Sequence, residues 1–474
     1  MTEPMLNAEP AGTDRKVACL VLDNPGRDLL GLGLLASQLA LRGFRVLLVP
    51  MYDQQQHVIK WCPNYVLVNY ARKANAPAIA RYRGMGIRVG VLDTEGGVLR
   101  CEYRELLNIV KESGVKARID DYFLWGNRQY AAFQKDLGSP GTVLHLAGCP
   151  RFDVYHEDWR ALVPDPPFEH RPYVLLTSSF PLNNPRFATP EQEIRNLMET
   201  MGLAQNELEE ARAAADRALT GFLDLVRWLC ATFPSVPFVL RPHPFENAST
   251  YEPLRGISNL TLTQEGVVAS WLKGCAAVVQ LNSSVAFEAA LWRKPVISLE
   301  LFQHPLLEVA VASRCSLKAG SRESLVALLR TILGGTSDPE MERQLARARE
   351  AAAETVAEWT YRNDGQAAVR VAEYIAKALQ GQRSVPRKDL KWLFRFGYVL
   401  VYYIAKVWLK QGWNRTGMRN RASKRFDAKD LAGVAALFRD RGITVANRPL
   451  ASYWPFRGSN AVEISLRGSC ETTE

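Results

Sequence analysis

The chain reads as α/β: two doubly wound, Rossmann-like domains facing a cleft, followed by a helical, basic C-terminal extension. Three observations carry that reading. Short apolar runs of β type alternate with stretches of helical periodicity over most of the first 335 residues, and such alternation builds parallel sheets covered by helices. At 474 residues the chain is longer than a single core sustains, so at least two domains are expected. Between Tyr155 and Pro172 the sequence turns polar and proline-rich, with Pro164, Pro166 and Pro167, as a domain connection does.

The elements follow in order. A polar segment, 1–15, has no apolar core of the secretory type and reads as a plain lead-in. In the first domain, 16–160, the run Lys16 to Asp23 ends in Asp23-Asn24-Pro25-Gly26, and Asp28 to Leu41 then has helical spacing closed by Gly43. Further strands are expected at Arg45 to Pro50, Tyr65 to Asn69, Arg88 to Leu92, Tyr122 to Trp125 and Val143 to Leu146. The turn after the first strand is not GxGxxG, which argues against a dinucleotide-binding dehydrogenase. The second domain, 172–335, starts with a strand at Tyr173 to Leu176. A long helix from Ala204 to Phe233 follows, then strands near 236–241, 258–262, 276–281 and 295–299. Alanine- and charge-rich helix over 338–380 closes the pair of domains.

The rest of the chain, 383–474, differs in kind. Between 383 and 425 twelve Lys and Arg residues face a single acid, Asp389, with Trp392, Phe394, Tyr398, Trp408 and Trp413 interleaved. The apolar stretch Trp392 to Leu409 is broken by Arg395 and Lys406, so an in-plane amphipathic helix on an anionic membrane surface fits better than a span. The net charge of +10 is in keeping with such a partner. No RNP, KH or zinc-knuckle pattern accompanies these residues, so nucleic acid is not expected as a partner. The eight cysteines lack CxxC spacing and the six histidines lack HxxxH spacing. A disulfide frame and a metal site are therefore not expected, and the compartment reads as cytoplasmic, on the inner face of the membrane.

Two segments carry the chemistry. Arg241-Pro242-His243-Pro244 follows a short strand, so His243 is expected at its carboxyl end, where open α/β sheets bind ligands. Asn282-Ser283-Ser284-Val285-Ala286-Phe287-Glu288 joins another strand to a helix, which places two hydroxyls and free backbone N–H groups toward an anion. Together they predict a nucleotide-phosphate site made by Arg241, His243, Ser283 and Ser284. Ser178 and Ser179, at the end of the domain's first strand, are further phosphate candidates, and Glu288 is placed one turn along the helix face toward a ribose or sugar hydroxyl. No nucleotide or other group is expected to be tightly bound as a cofactor.

These segments, with Asp23-Asn24-Pro25-Gly26-Arg27-Asp28, Asp93-Thr94-Glu95-Gly96-Gly97 and Gly148-Cys149-Pro150-Arg151-Phe152-Asp153, resemble the bacterial surface-carbohydrate biosynthesis proteins. That group is similar to the retaining Kdo transferases of lipopolysaccharide and capsule synthesis, enzymes of the GT-B architecture in which donor and acceptor meet between two doubly wound domains. The likeness covers roughly residues 16–330. It implies a CMP-sugar donor, with His243, Ser283 and Ser284 at its phosphate. It also implies a lipid-linked or oligosaccharide acceptor.

Carboxylates must serve the sugar carbon and the acceptor hydroxyl. Glu95 is the first candidate, in a loop whose Gly96 and Gly97 let backbone approach an acceptor; Asp93 sits beside it, and Asp153 is a candidate nucleophile or cleft stabiliser. Asp at a strand end also caps helices. Asp23 and Asn24 are placed on the acceptor side. Cationic and N–H groups near a leaving monophosphate stabilise it without a metal. The resulting expectation is a metal-independent glycosyltransferase. Alternatives are a CDP-glycerol-type polyolphosphate transferase, which needs a histidine base in the first domain for which His57 and His145 are the only nominees; a UDP-sugar enzyme such as a 2-epimerase; and a non-catalytic scaffold of a glycan-assembly complex.

Overall fold

In a computed structural model of the chain, residues 15–96, 119–137, 141–201, 204–302, 307–334, 339–381, 423–449 and 460–467 are described, with a few isolated positions between them. Strands are numbered β1 to β14 along the chain. The first domain contributes β1 (Val17–Leu22), β2 (Arg45–Pro50), β3 (Tyr65–Val68), β4 (Arg88–Leu92), β5 (Asp121–Leu124) and β6 (Val143–Leu146), all parallel. The second contributes β7 (Tyr173–Thr177), β8 (Phe238–Arg241), β9 (Leu260–Leu262), β10 (Cys275–Gln280), β11 (Val296–Leu299) and β12 (Leu317–Ala319), also all parallel. The last pair is β13 (Ile443–Pro449) and β14 (Asn460–Leu466).

The second sheet runs β12-β11-β10-β7-β8-β9. Counted from its first strand this is the doubly wound order, with the switch point between β7 and β10. Its central strands β7 and β10 are largely apolar on both faces, as parallel strands covered by helices are. In the first sheet β1 lies between β2 and β3, and the order continues to β4, β5 and β6, so its switch point lies between β1 and β3. The two sheets are the halves of a GT-B fold, as the alternation of runs predicts.

Residues 443–466, which the sequence reading leaves within the C-terminal extension, are part of the first sheet. Strand β14 pairs antiparallel with β2, Val462 opposite Leu48 and Ile464 opposite Val46, and β13 pairs antiparallel with β14. The edge of β2 is thereby covered, which removes an exposed row of N–H and C=O groups. Glu463, 1 % exposed, points inward on β14 and is held by Arg45 at 2.7 Å and Arg448 at 2.6 Å. Two cationic partners offset the cost of burying that charge.

The helices Pro339–Trp359 and Ala367–Ala378 take the chain back from the second domain to the first. The N–H of Tyr361 donates to the carbonyl of Trp125 at 2.7 Å, and Arg370 Nε donates to the carbonyl of Ala147 at 2.8 Å. The helix Pro25–Leu41 packs between β1 and this returning helix, and one apolar cluster runs from Leu34 and Leu39 through Val371 and Ile375. Gly31 on that helix meets the Gly148–Asp153 segment: a Cβ there would lie 2.6 Å from the Arg151 backbone, so only glycine lets the two chains touch.

Candidate functional site

On the first-domain side, Asp23 follows β1. Asn24 caps the following helix, its Oδ1 accepting the Gly26 N–H at 3.1 Å, and its own N–H donates to Asp28 at 3.0 Å. Arg27 bridges Asp23 at 2.9 Å and Asp28 at 2.7 Å. Asp23 also receives Lys424 at 2.9 Å. Burial works against the Asp23 charge, yet Arg27 and Lys424 outweigh it and hold the carboxyl below its ordinary range.

The loop after β4 is built on Asp93, which is 1 % exposed. Its Oδ1 accepts the N–H groups of Glu95 at 2.9 Å and Gly96 at 3.0 Å, an Asx turn. The Trp125 indole donates to the Asp93 carbonyl at 3.0 Å, and Gln129 to the Gly96 carbonyl at 2.9 Å. Gly96 has φ +51° and lies against the Trp125 ring, where a side chain would clash. Burial raises the Asp93 carboxyl. Its Oδ2 has no hydrogen-bond partner among the described residues, and the residue lines a small pocket with Asp28, Thr94 and Arg151. Glu95, by contrast, is 36 % exposed and paired with Arg72. Desolvation opposes its charge, but Arg72 and Arg27 prevail and keep it ionised. Gly97 lies outside the described residues.

On the second-domain side, His243 follows β8. Its Nδ1 accepts the Phe245 N–H at 3.3 Å, so the neutral ring carries its proton on Nε2. Burial, followed by the positive charges of Arg27 and Lys424 across the cleft, lowers the imidazole to about 4, with Glu95 opposing. His243 is therefore a neutral N–H donor facing Glu95, Arg27 and Lys424. The Lys424 ammonium also lies 5.0 Å above the Phe245 ring, so one lysine touches both domains. Beyond β10, Asn282 adopts φ +52°. Ser284 is exposed at the N-cap of the helix Val285–Leu291, while Ser283 is 6 % exposed and accepts the Val285 N–H at 3.3 Å.

The structure thus brings Asp23, Glu95, His243 and Ser284 to the two faces of the cleft. Four nominated residues are engaged elsewhere. Arg241 donates to the carbonyls of Glu265 and, at 3.1 Å, Gly266, with its guanidinium 5.4 Å from the Trp271 ring. It fastens a loop. Ser178 donates to Glu246 at 2.9 Å and accepts the Tyr251 hydroxyl at 2.9 Å, and Glu246, fully buried, also accepts the Phe180 N–H at 2.7 Å. Ser178 therefore braces the turn after β7, and the neighbouring Ser179 is half-buried beside it. Glu288 has both oxygens taken, by Arg151 and by Tyr155 of the first domain, so it links the domains and does not reach a sugar hydroxyl.

Asp153 accepts the N–H groups of Ala367 at 3.0 Å and Ala368 at 2.7 Å. It caps the returning helix, and at 4 % exposure it is placed neither as a nucleophile nor at the cleft surface. Burial outweighs those two bonds and pushes its carboxyl up to about 6. The folded state therefore holds this proton more tightly than the unfolded chain, so the group's contribution to stability falls as pH rises from about 4 to about 6. The expected decline is about 2–3 kcal/mol. Urea unfolding of the wild type and Asp153→Asn across that window should show the steeper decline in the wild type; parallel profiles would refute the assignment.

Arg27, Arg72, Phe245 and Lys424 are the cleft residues that sequence reasoning did not nominate. Arg27 stood within a quoted motif, whereas Arg72 and Lys424 carry no local signal. Among the described residues no group of three or more His, Cys, Asp and Glu side chains could hold a metal ion, and no helix is long and apolar enough to cross a membrane. The segment 383–425, expected on a membrane surface, lies outside the described residues apart from 394, 397, 398, 401 and 423–425.

No protein-family model and no curated protein matches this sequence. Among solved structures, the chain is similar to Staphylococcus aureus MnaA with UDP, at 14% identity over 77% of this chain and 97% of that one, TM-score 0.48. It is similar to the Neisseria meningitidis UDP-GlcNAc 2-epimerase bound to UDP-GlcNAc, at 11% identity over 76% and 100%, TM-score 0.44. The wall teichoic acid polymerase TagF, in a variant with CDPG, is similar at 11% identity over 77% and 89%, TM-score 0.45. At such identities and scores no residue role transfers to this chain.

Proposed function

We propose that this chain is a nucleotide-sugar-dependent glycosyltransferase of bacterial surface polysaccharide or glycolipid synthesis. The donor nucleotide binds the second domain, the acceptor binds the first, and the transferred group is an acidic sugar carried by CMP, with Kdo the best match to the motifs. The observation that carries the reading is that Lys424 joins the two faces of one cleft, 2.9 Å from Asp23 after β1 and 5.0 Å over the Phe245 ring that packs beside His243.

Each half fits a step of transfer. A departing CMP phosphate gains negative charge, which the His243 Nε2–H, the Ser284 hydroxyl and the Arg27 and Lys424 charges are positioned to stabilise. Glu95, held ionised by Arg72, is a weak proton acceptor; its better use is to stabilise positive charge developing at the anomeric carbon. The cationic cluster of Arg27, Arg72 and Lys424 supplies counter-charge for a sugar carboxylate. Asp23, Asn24 and Gly96 are assigned to the acceptor side.

The polyolphosphate alternative is disfavoured by where the histidines sit. His57 is fully buried, and His145 packs on Phe123 and Tyr374 with its Nε2 2.9 Å from Asp121, so neither reaches the cleft. The basic segment 383–425 would hold the enzyme against the cytoplasmic membrane face, near a lipid-linked acceptor. Lys424, near the end of that segment, is engaged with Asp23 in the cleft wall.

A thermal-shift panel of CMP, CDP, UMP, UDP, GDP and dTDP tests the donor. A ligand that binds only the folded state at a hundredfold excess over its Kd stabilises by about 2.7 kcal/mol, so CMP is expected to give the largest rise in Tm. Stabilisation by UDP without CMP would move the reading to a UDP-sugar enzyme.

A further inference from the structure

We propose that a groove at the far end of the second domain from the cleft is a binding site for a single-chain amphiphile with an anionic, phosphate-type head. The groove lies at the amino ends of β11 and β12 and has a volume of about 590 Å³, within the range of pockets that hold small molecules. Its floor is apolar and buried, made by Leu291, Val296, Leu317, Leu345 and Val356. One wall is the helix Pro339–Trp359, where Ala348, Ala352, Ala353 and Ala357 leave room that larger side chains would fill. An acyl chain laid along this wall would be removed from water, at about 25 cal/mol per Å² of apolar surface.

The rim decides the head group. Arg293, Arg349 and Arg362 stand around the groove, exposed, with one acid, Glu350, among them. None of the three guanidinium groups has an ion pair or side-chain hydrogen bond among the described residues; Arg362 lies over the Tyr361 ring. Guanidinium forks match phosphate oxygens in shape as well as charge. Arg293 adds a second observation. It follows the helix Val285–Leu291 at φ +54°, a backbone region where glycine is the favoured residue. The conformation closes the helix, with the Lys294 N–H donating to the Ala289 carbonyl at 2.9 Å, and it fixes the backbone of the rim arginine.

The site is connected to both domains. The helix Val285–Leu291 has Ser284 and the cleft at one end and Arg293 at the other. The opposite wall continues through Tyr361, whose N–H is bonded to the Trp125 carbonyl of the first domain. An occupant would therefore bear on the two helices that fix how the domains meet.

Isothermal titration of the full chain with dodecyl phosphate, kept below its aggregation concentration, tests the proposal independently of any transfer reaction. Saturable binding of one molecule is expected, weakened at least tenfold in Arg293→Glu/Arg349→Glu and in Ala353→Trp, all at exposed positions. Circular dichroism melts of the variants confirm that they fold. Dodecyltrimethylammonium and inorganic phosphate, as controls, should bind at least tenfold more weakly. Absence of binding, equal binding of either control, or unchanged affinity in the charge-reversed variant would each overturn it.

Discussion

Arg151→Met is expected to cost about 3–5 kcal/mol of stability, because it strands a buried carboxylate between the domains. Glu288 is 3 % exposed and Arg151 9 %. The guanidinium and the Tyr155 hydroxyl are the partners of the two Glu288 oxygens. Methionine keeps the apolar length of the side chain, so the loss isolates charge from packing. The phenol that remains cannot balance an ionised group. The double variant Arg151→Met/Glu288→Met removes both charges and should recover most of the loss, since replacing a buried pair with apolar residues is often neutral. Urea unfolding of the two single variants and the double closes the cycle. Additive costs would mean that the pair is not coupled. Arg151 also donates to the Thr94 carbonyl at 3.4 Å, so the same change should loosen the loop that presents Glu95 and weaken transfer before the protein melts.

That pair shows where reading a sequence stops. The strand runs were legible because a parallel strand buried on both faces is a continuous apolar segment, and β7, β10 and β11 are little else. The cleft end of each strand was legible too, since ligands gather at the carboxyl ends of such sheets. The destination of a polar side chain was not. A carboxylate after a strand end looks the same whether it faces a substrate, a helix N-terminus or a guanidinium from another domain. Asp153 turns out to serve a helix N-terminus and Glu288 a guanidinium from the other domain, while Glu95 is half-exposed and paired with Arg72.

Distance along the chain hid the rest. Lys424 meets Asp23 across 401 residues, and no local pattern marks such a contact. The hairpin of β13 and β14 was missed for a related reason. Strand β13, ITVANRP, is a partly exposed edge, and NAVEISL of β14, though buried, carries Glu463 and Ser465 among its apolar residues, so the apolar run that identifies a central strand is absent.

If the proposed transfer is the reaction, His243→Ala is expected to lower kcat by about 10²–10³-fold while leaving the fold intact, the loss found when one donor to a developing anion is removed. The tautomer makes the expectation more specific. Because Nδ1 accepts the Phe245 N–H, only Nε2–H is available to a donor phosphate. Glutamine, whose amide nitrogen extends about as far as Nε2, should recover part of the rate; asparagine, which stops near Nδ1, should not. The pH profile separates this role from that of a proton acceptor. With its pKa lowered to about 4, the ring stays neutral through the physiological range, so its limb in kcat should appear only as pH falls toward 4. At that point protonation would place a second donor against the Phe245 N–H and break the local turn. A limb between pH 6 and 7 that disappears in His243→Gln would instead show an ordinary imidazole taking up a proton, and would remove His243 from its place as a neutral donor to the leaving phosphate.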